Sequence, residues 1–174
     1  MTEGQLHQAQ GVQVSLISIA SCTCRILSGI SSDVLKRRGH SRSWMLVISA
    51  VLFFISQFTG HSLSSPHGLY LVSLLTGAGY GALFGPSPTI VSEAFGIPGM
   101  SQNWGFMTIS AVVGSYVFNT IFGRIFDAHS KLYPDGQRSC KEGGNCFRTS
   151  FAVTAVACFV AIFLGILVSS KRWK

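Results

Sequence analysis

The sequence predicts an all-α fold, a polytopic bundle of transmembrane helices that forms a single membrane domain over residues 1–174. Only 11% of the residues are charged and 48% are hydrophobic, whereas about a quarter of the residues in a soluble domain are charged. Five apolar segments come close to the ~20 residues that cross the hydrocarbon core. Basic residues cluster beside these segments, as cytoplasmic anchors do. We therefore expect the chain to lie in a lipid bilayer.

The first two predicted spans cover residues 11–30 and 44–58. The first is the least hydrophobic of the spans because it contains Gln13, several hydroxyl side chains and Arg25. A helix of this kind lines a polar cavity or packs at the centre of a bundle. The second span is short and strongly apolar, and it begins at Trp44, a residue type that favours the membrane interface.

The third predicted span, residues 68–95, combines close packing with a helix break. Three glycines recur at four-residue spacing and share one helix face, where a neighbouring backbone can approach closely: Gly77, Gly81 and Gly85. Pro86 and Pro88 follow and remove backbone donors, so the helix should kink or break towards its far end. A hinge or a cavity is expected there.

The last two predicted spans cover residues 104–126 and 150–168, and a polar loop over residues 128–148 connects them. The basic turn follows the first span, and the basic tail follows the fifth. Four membrane crossings separate them, so both lie on the same side of the membrane. Because basic residues favour the cytoplasm, we expect the N-terminus and the 128–148 loop outside. Five basic residues near that loop oppose this orientation: Arg124, Lys131, Arg138, Lys141 and Arg148.

The 128–148 loop also holds two cysteines, Cys140 and Cys146. Its predicted outer or lumenal location permits oxidation. A disulfide and two free thiols both remain open. A metal site is the weakest alternative because no His or further Cys follows at zinc spacing.

Several function classes do not fit the sequence. The net charge of +7 arises from clusters beside apolar spans, whereas a nucleic-acid binder spreads basic residues over a groove with exposed aromatics. The sequence shows no paired nucleophile and base, no metalloprotease motif and no phosphate-binding loop. We therefore expect no enzyme activity, no cofactor, no metal and no nucleic-acid partner.

The segment between the first two spans resembles a known signature loop. Gly29 and Asp33 stand four residues apart, and a basic run with a further glycine follows: Lys36, Arg37, Arg38 and Gly39. This pattern resembles the loop between the second and third, and between the eighth and ninth, helices of the major facilitator superfamily. The resemblance implies that Asp33 and the basic residues form a conformational latch at the cytoplasmic face. The alternative is a solvated loop whose charges only set the topology. The sequence departs from the family pattern at Val34, where a basic residue usually follows the Asp.

Features in the rest of the chain are similar to the C-terminal half of monocarboxylate-transporter-like and nodulin-like facilitators. They include the glycine-rich third span that ends at Gly96, the segment Gly123–Asp127 and the pair Cys140 and Cys146 before the last span. The resemblance extends from about Gln8 to Ser169, and the cysteine pair is similar to a fungal and plant nodulin-like branch. The resemblance implies that the five spans are helices eight to twelve of a twelve-helix carrier, which is an incomplete C-terminal half-bundle. The missing N-terminal half is then an expected partner.

The resemblance also assigns roles to individual residues. In monocarboxylate carriers the Arg that matches Arg25 pairs with the substrate carboxylate, and an Asp one turn earlier corresponds here to Ser21. Arg25 and Ser21 are therefore expected on the substrate pathway. Tyr80 and Asn119 are further candidates for lining a cavity, although an Asn in a membrane helix is alternatively an interhelical hydrogen-bond donor. An intramembrane Arg can alternatively snorkel or pair with an acidic group. A charge cluster is expected from Glu93, Arg124 and Asp127, with Glu93 joining the cytoplasmic loop.

Two functions remain open at this stage. One is secondary transport of a small, monocarboxylate-like solute by a major facilitator of which this chain is a part. The other is a non-transporting membrane fragment with a structural or regulatory role through helix packing. The nodulin-like resemblance favours the vacuolar membrane over the plasma membrane.

Overall fold

The computed structural model describes residues 3–63, 68–132, 138–140 and 145–170. Nearly all of these residues are helical, as the fold class predicts. The elements in order are α1 Glu3–Arg37, α2 Trp44–Ser62, α3 Gly68–Phe84, α4 Ser87–His129, β1 Ser130–Leu132, β2 Arg138–Cys140 and α5 Asn145–Ser170. Four helical stretches are long and apolar enough to cross a membrane: His7–Arg37, Trp44–Ser62, Gly68–His129 and Phe147–Ser170.

The third of these stretches contains both α3 and α4, and a break separates the two. Its 62 residues would measure about 93 Å as one continuous helix, three times the ~30 Å hydrocarbon core. α3 ends where the amide of Gly85 donates to the carbonyl of Gly81, and α4 begins where the amide of Ile90 donates to the carbonyl of Pro86. The single span expected over residues 68–95 is therefore two helical segments.

Proline chemistry explains the position of this break. Pro86 precedes the first residue of α4 and is fully buried, and Pro88 follows in the first turn, where the missing amide donors cost least. The hydroxyl of Ser87 donates to the carbonyl of Leu83 at 2.5 Å, which satisfies one of the carbonyls at the end of α3. A second bend lies at Gly96, where φ is +73°, a conformation that favours glycine.

The helices form an open row in the order α1, α3, α2, α5, α4. α1 and α3 run parallel, with Gly77 beside Ile17 and Gly85 beside Arg25. α2 runs antiparallel to both neighbours. The hydroxyl of Ser56 in α2 contacts Val72 and Thr76 of α3, and the end of α2 lies against the start of α5. The row leaves one side of α1 and most of α4 without a helical neighbour among the described residues.

The connection between α4 and α5 is more ordered than the loop expected over residues 128–148. α4 continues to His129, and β1 pairs antiparallel with β2 so that Ser130 lies opposite Cys140. α5 starts at Asn145, five residues before the predicted span. The side chains of Cys140 and Cys146 fall outside the part of the chain that the structure describes, so the disulfide remains a prediction.

Candidate functional site

The end of α1 makes the tight turn of the signature loop. Gly39 has φ +79°. Its amide donates to the carbonyl of Lys36 at 3.0 Å, and the amide of His40 donates to the carbonyl of Leu35 at 3.0 Å. These two bonds form a Schellman cap, which needs the left-handed conformation that glycine adopts without strain. The cap reverses the chain, so that Arg42 returns towards the last turns of α1.

Arg42 is the centre of a four-residue ionic cluster, which we call the loop cluster: Asp33, Lys36, Arg42 and Glu93. Its guanidinium donates to Asp33 Oδ1 at 2.5 Å and to Glu93 Oε1 at 2.9 Å, and also to the hydroxyl of Ser32 at 3.3 Å. Lys36 Nζ lies 3.3 Å from Glu93 Oε2. The cluster thus joins α1, the α1–α2 loop and the first segment of α4.

Burial distinguishes Arg42 from the acids that it binds. The Arg42 side chain is only 14% exposed, whereas that of Asp33 is 61% exposed. The hydrogen bond to Asp33 raises the pKa of Arg42, and Glu93 raises it further. Burial lowers the same pKa, but by less, so the net change is upward. A permanently charged, forked group bridges two carboxylates better than a Lys ammonium does.

Other residues expected in the loop and the charge cluster lie elsewhere. Arg37 and Arg38 are exposed and belong to no ion pair that joins described residues. Arg124 and Asp127 lie near the opposite end of α4 from Glu93, where the Phe126 ring lies 5.7 Å from the Phe147 ring of α5 at a tilt of 33°. The expected cluster of Glu93, Arg124 and Asp127 is thus two separate charged regions. A Cβ at Gly29 would meet nothing within 4 Å, so no described helix packs closely against that glycine.

Arg25 and Tyr80 of the expected substrate pathway lie together. The Arg25 guanidinium carbon lies 5.6 Å from the ring centre of Tyr80 and 5.8 Å from that of Phe84, and the two rings are 4.6 Å apart. A cation over aromatic faces is attracted by their quadrupoles. Arg25 and Tyr80 are both exposed, and no described acidic side chain pairs with Arg25.

The other two pathway residues do not join this pair. Ser21 is buried at 9% exposure, and its carbonyl lies against Gly81 in the α1–α3 interface. Asn119 lies on α4, where its amide donates to the hydroxyl of Ser115 one turn earlier at 3.3 Å.

Three glycines, Gly77 and Gly81 in α3 and Gly85 directly after it, explain why Arg25 and Tyr80 meet. A Cβ at Gly77 would lie 2.6 Å from the carbonyl oxygen of Ile17, and one at Gly85 would lie 2.8 Å from that of Arg25. Glycine therefore allows the α1 backbone to touch α3 along its length. This contact places Tyr80 beside Arg25 on the open face of the two helices.

The described residues thus form apolar helices long enough to cross a membrane several times. An ionic cluster lies at one end of the helices, and Arg25 lies on an open helix face where no described acidic side chain pairs with it. A family model of the Major Facilitator Superfamily matches residues 4–172. The chain belongs to the Major Facilitator Superfamily, as its signature loop indicates.

Curated relatives are similar over most of the chain. The Uncharacterized membrane protein YMR155W of Saccharomyces cerevisiae is 35% identical over 92% of this chain and 32% of its own length. The Probable transporter MCH1 of Wickerhamomyces anomalus is 30% identical over 80% of this chain and 28% of its own length. The Probable transporter MCH1 of Candida albicans is 29% identical over 92% of this chain and 31% of its own length. The chain therefore spans about a third of these relatives. No solved structure gives a significant match.

Two features escaped the sequence reasoning. Arg42 is not among the residues expected in the signature loop, although its position two residues before α2 and nine residues after Asp33 is a usable signal once the turn at Gly39 is recognised. The pairing of Arg25 with Tyr80 and Phe84 was not expected. The four-residue spacing of Tyr80 and Phe84 puts both rings on one face of α3, but the register of α1 against α3 follows only from the packing.

Proposed function

We propose that the chain is part of a secondary transporter for a small anionic solute of the monocarboxylate type. The observation that carries this proposal is Arg25, whose guanidinium faces the open side of α1 and α3 without an acidic partner among the described residues. An unpaired Arg within a membrane span is costly, and such residues mark substrate pathways. The names of the MCH1 relatives support transport, and carboxylate binding matches the bidentate geometry of a guanidinium.

The roles of three side chains follow from this geometry. Arg25 supplies the charge that binds the solute carboxylate, and the rings of Tyr80 and Phe84 hold its guanidinium in place. The Tyr80 hydroxyl supplies a second hydrogen-bond donor near that charge. Because Ser21 replaces the Asp of monocarboxylate carriers and is buried, we propose that any coupling proton is carried by a residue other than this one.

The loop cluster contributes conformational control in this proposal. Alternating access requires one half of a facilitator to rock against the other. An ionic latch between the α1–α2 loop and the start of α4 stabilises one arrangement of these helices. Its release is then part of the transport cycle.

Uptake of a panel of small monocarboxylates into vesicles that carry the complete gene product tests the proposal. We expect Arg25→Ala to lower uptake of the transported solute about tenfold or more, the loss expected for a charged hydrogen bond. Ile26→Ala, which changes the exposed neighbouring side chain, is the matched control and should retain uptake. Unchanged uptake of every transported solute in Arg25→Ala would remove Arg25 from the site.

A structural or regulatory role is the alternative proposal, and the exposure of α4 favours it. Phe106 and Tyr116 are 72% and 73% exposed, more than most aromatic side chains inside a completed bundle. A chain that only packs against other membrane proteins would show no uptake with any solute of the panel. Sequencing upstream of Met1 separates the two cases, since a further in-frame region with apolar spans favours transport.

The vacuolar membrane is the proposed location, on the basis of the nodulin-like resemblance. A fluorescent fusion of the complete gene product should mark the vacuolar rim. A signal at the cell periphery would favour the plasma membrane instead.

A further inference from the structure

A histidine joins the end of α2 to the start of α5 through both of its ring nitrogens. His61 lies in the last turn of α2, and Arg148 lies in the first turn of α5. The Nδ1 atom of His61 lies 3.1 Å from the backbone carbonyl oxygen of Arg148. The guanidinium Nε of Arg148 lies 3.3 Å from His61 Nε2. One residue of α5 thus supplies both partners of the ring.

These two partners fix the protonation state of the His61 ring. A carbonyl oxygen only accepts hydrogen bonds, so Nδ1 carries a proton and donates it. A guanidinium only donates, so Nε2 keeps its lone pair and accepts. The bonded ring is therefore the neutral imidazole, protonated on Nδ1 alone. Because histidine changes its charge between about pH 5 and 8, the double contact belongs to the less acidic part of this range.

A proton taken up by Nε2 turns the second hydrogen bond into a meeting of two donors. His61 and Arg148 are then both positively charged, and their N–H groups point at each other. The bond from Nδ1 to the carbonyl remains and gains strength because its donor is charged. This gain offsets part of the loss at the guanidinium, and the repulsion between two adjacent like charges makes the net effect a weaker contact.

No carboxylate of a described residue pairs with either member of this contact. The ion pairs that join described residues include neither His61 nor Arg148. Other charged or titratable groups lie on the neighbouring helix ends at this side of the row: Tyr70 on α3, and Arg124, Asp127 and His129 on α4. Tyr70, Asp127 and His129 each have interactions of their own. A second positive charge at the contact is therefore not neutralised by an ion pair with a described residue.

The neighbouring contacts between α2 and α5 do not titrate. A Cβ at Gly60 would lie 2.5 Å from the Phe151 ring, so that ring lies directly against the α2 backbone. One turn further along α2, the Thr154 hydroxyl donates to Gln57 Oε1 at 2.7 Å. These contacts hold the rest of the interface at any pH. Protonation of His61 therefore acts on the last turn of α2 and the first turn of α5 alone.

We propose that His61 and Arg148 form a pH-sensitive clasp, which is closed while the ring is neutral and opens when Nε2 takes up a proton. The clasp lies at the opposite end of the helix row from the loop cluster. In the predicted topology this end faces the outer or lumenal side, so the acidity of that compartment opens the clasp. The proposal is independent of the anion pathway, because α2 and α5 hold both residues of the clasp whereas Arg25 and Tyr80 lie on α1 and α3.

Hydrogen exchange of the complete gene product in detergent tests the proposal. Protection factors, which correct for the pH dependence of intrinsic exchange, are compared at about pH 7.5 and about pH 5. We expect the amides of residues 59–62 and 149–152 to lose about threefold in protection at the lower pH, the scale of one exposed hydrogen bond. The amides of residues 50–57 should keep the same protection at both.

Two variants separate the charge of the ring from its hydrogen bonds. In His61→Gln the carboxamide donates to the Arg148 carbonyl and accepts from the guanidinium, but it does not titrate, so protection should be the same at both pH values. Arg148→Met removes the guanidinium and keeps the backbone carbonyl. Acidification of this variant should leave protection unchanged or raise it, because the charged ring donates a stronger bond to the carbonyl.

His129→Gln is the matched control. His129 lies at the end of α4 on the same side of the row, and its Nδ1 donates to the carbonyl of Ile125 in its own helix. This variant should keep the pH response of the unaltered chain. Equal protection at both pH values in the unaltered chain, a response that persists in His61→Gln, or a response that is lost in His129→Gln would each overturn the proposal.

Discussion

At the scale of single residues, Arg42 carries more of the proposed latch than the basic run does. It is the least exposed member of the loop cluster and contacts two acids from different helices. Exposed ion pairs contribute about 0–1 kcal/mol each, and one buried guanidinium that serves two carboxylates contributes more than the exposed Lys36–Glu93 pair. Loss of Arg42 should therefore loosen the contact between the loop and α4.

Hydrogen exchange measures this effect directly. In Arg42→Ala, backbone amides over residues 87–95 should exchange about fivefold faster, because their local opening loses roughly 1 kcal/mol. Arg38→Ala is the matched control, since Arg38 is exposed and forms no ion pair with a described residue. Equal exchange in the two variants would contradict the central role of Arg42.

At the scale of elements, the sequence predicts the glycine face of α3 and the break near Pro86 from local chemistry alone. Both features depend on residues within one turn of each other, so spacing suffices to locate them. The register between α1 and α3 depends instead on contacts more than fifty residues apart, such as Ser28 with Gly81. The proximity of Arg25 and Tyr80 therefore needed the structure.

A single methyl group should test the α1–α3 contact. A Cβ at Gly81 would lie 2.9 Å from Cys24 Cβ and 3.0 Å from the amide nitrogen of Arg25. Because the backbone of α1 has little room to move, Gly81→Ala should destabilise the bundle by about 1–3 kcal/mol and lower its melting temperature in detergent.

Gly114→Ala supplies the matched comparison for this substitution. A Cβ at Gly114 meets nothing within 4 Å, and alanine favours a helix over glycine. Its melting temperature should stay the same or rise. A fall as large as that of Gly81→Ala would show that the glycine face does not set the packing.

At the scale of the whole molecule, the contacts define two ends of the helix row. At one end, the loop cluster joins the end of α1, the α1–α2 loop and the start of α4. At the other end, the amide carbonyl of Arg148 lies 3.1 Å from His61 Nδ1, and Phe126 meets Phe147. The five helices therefore each run from one end of the row to the other. By length and composition, the described part of the chain contains four continuous helical stretches that qualify as spans, because α3 and α4 count as one stretch.

The fold class, an all-α membrane bundle, is confirmed because apolar length and basic flanks reflect the bilayer directly. The sequence predicts less well which charged residues lie together. Arg124 and Asp127 share a helix with Glu93 but lie at the opposite end of that helix. Helix length, and not charge type, decides which of these groups meet.

Glycosylation mapping tests the central claim most directly. Acceptor tags are inserted at Gly39, after Lys174 and within the 128–148 connection of the complete gene product, and their modification is scored on gels. The five-pass arrangement predicts that the tags at Gly39 and Lys174 stay unmodified on the cytoplasmic side, whereas the tag at 128–148 is glycosylated. Modification of either Gly39 or Lys174 alone would place these two positions on opposite faces and contradict the account.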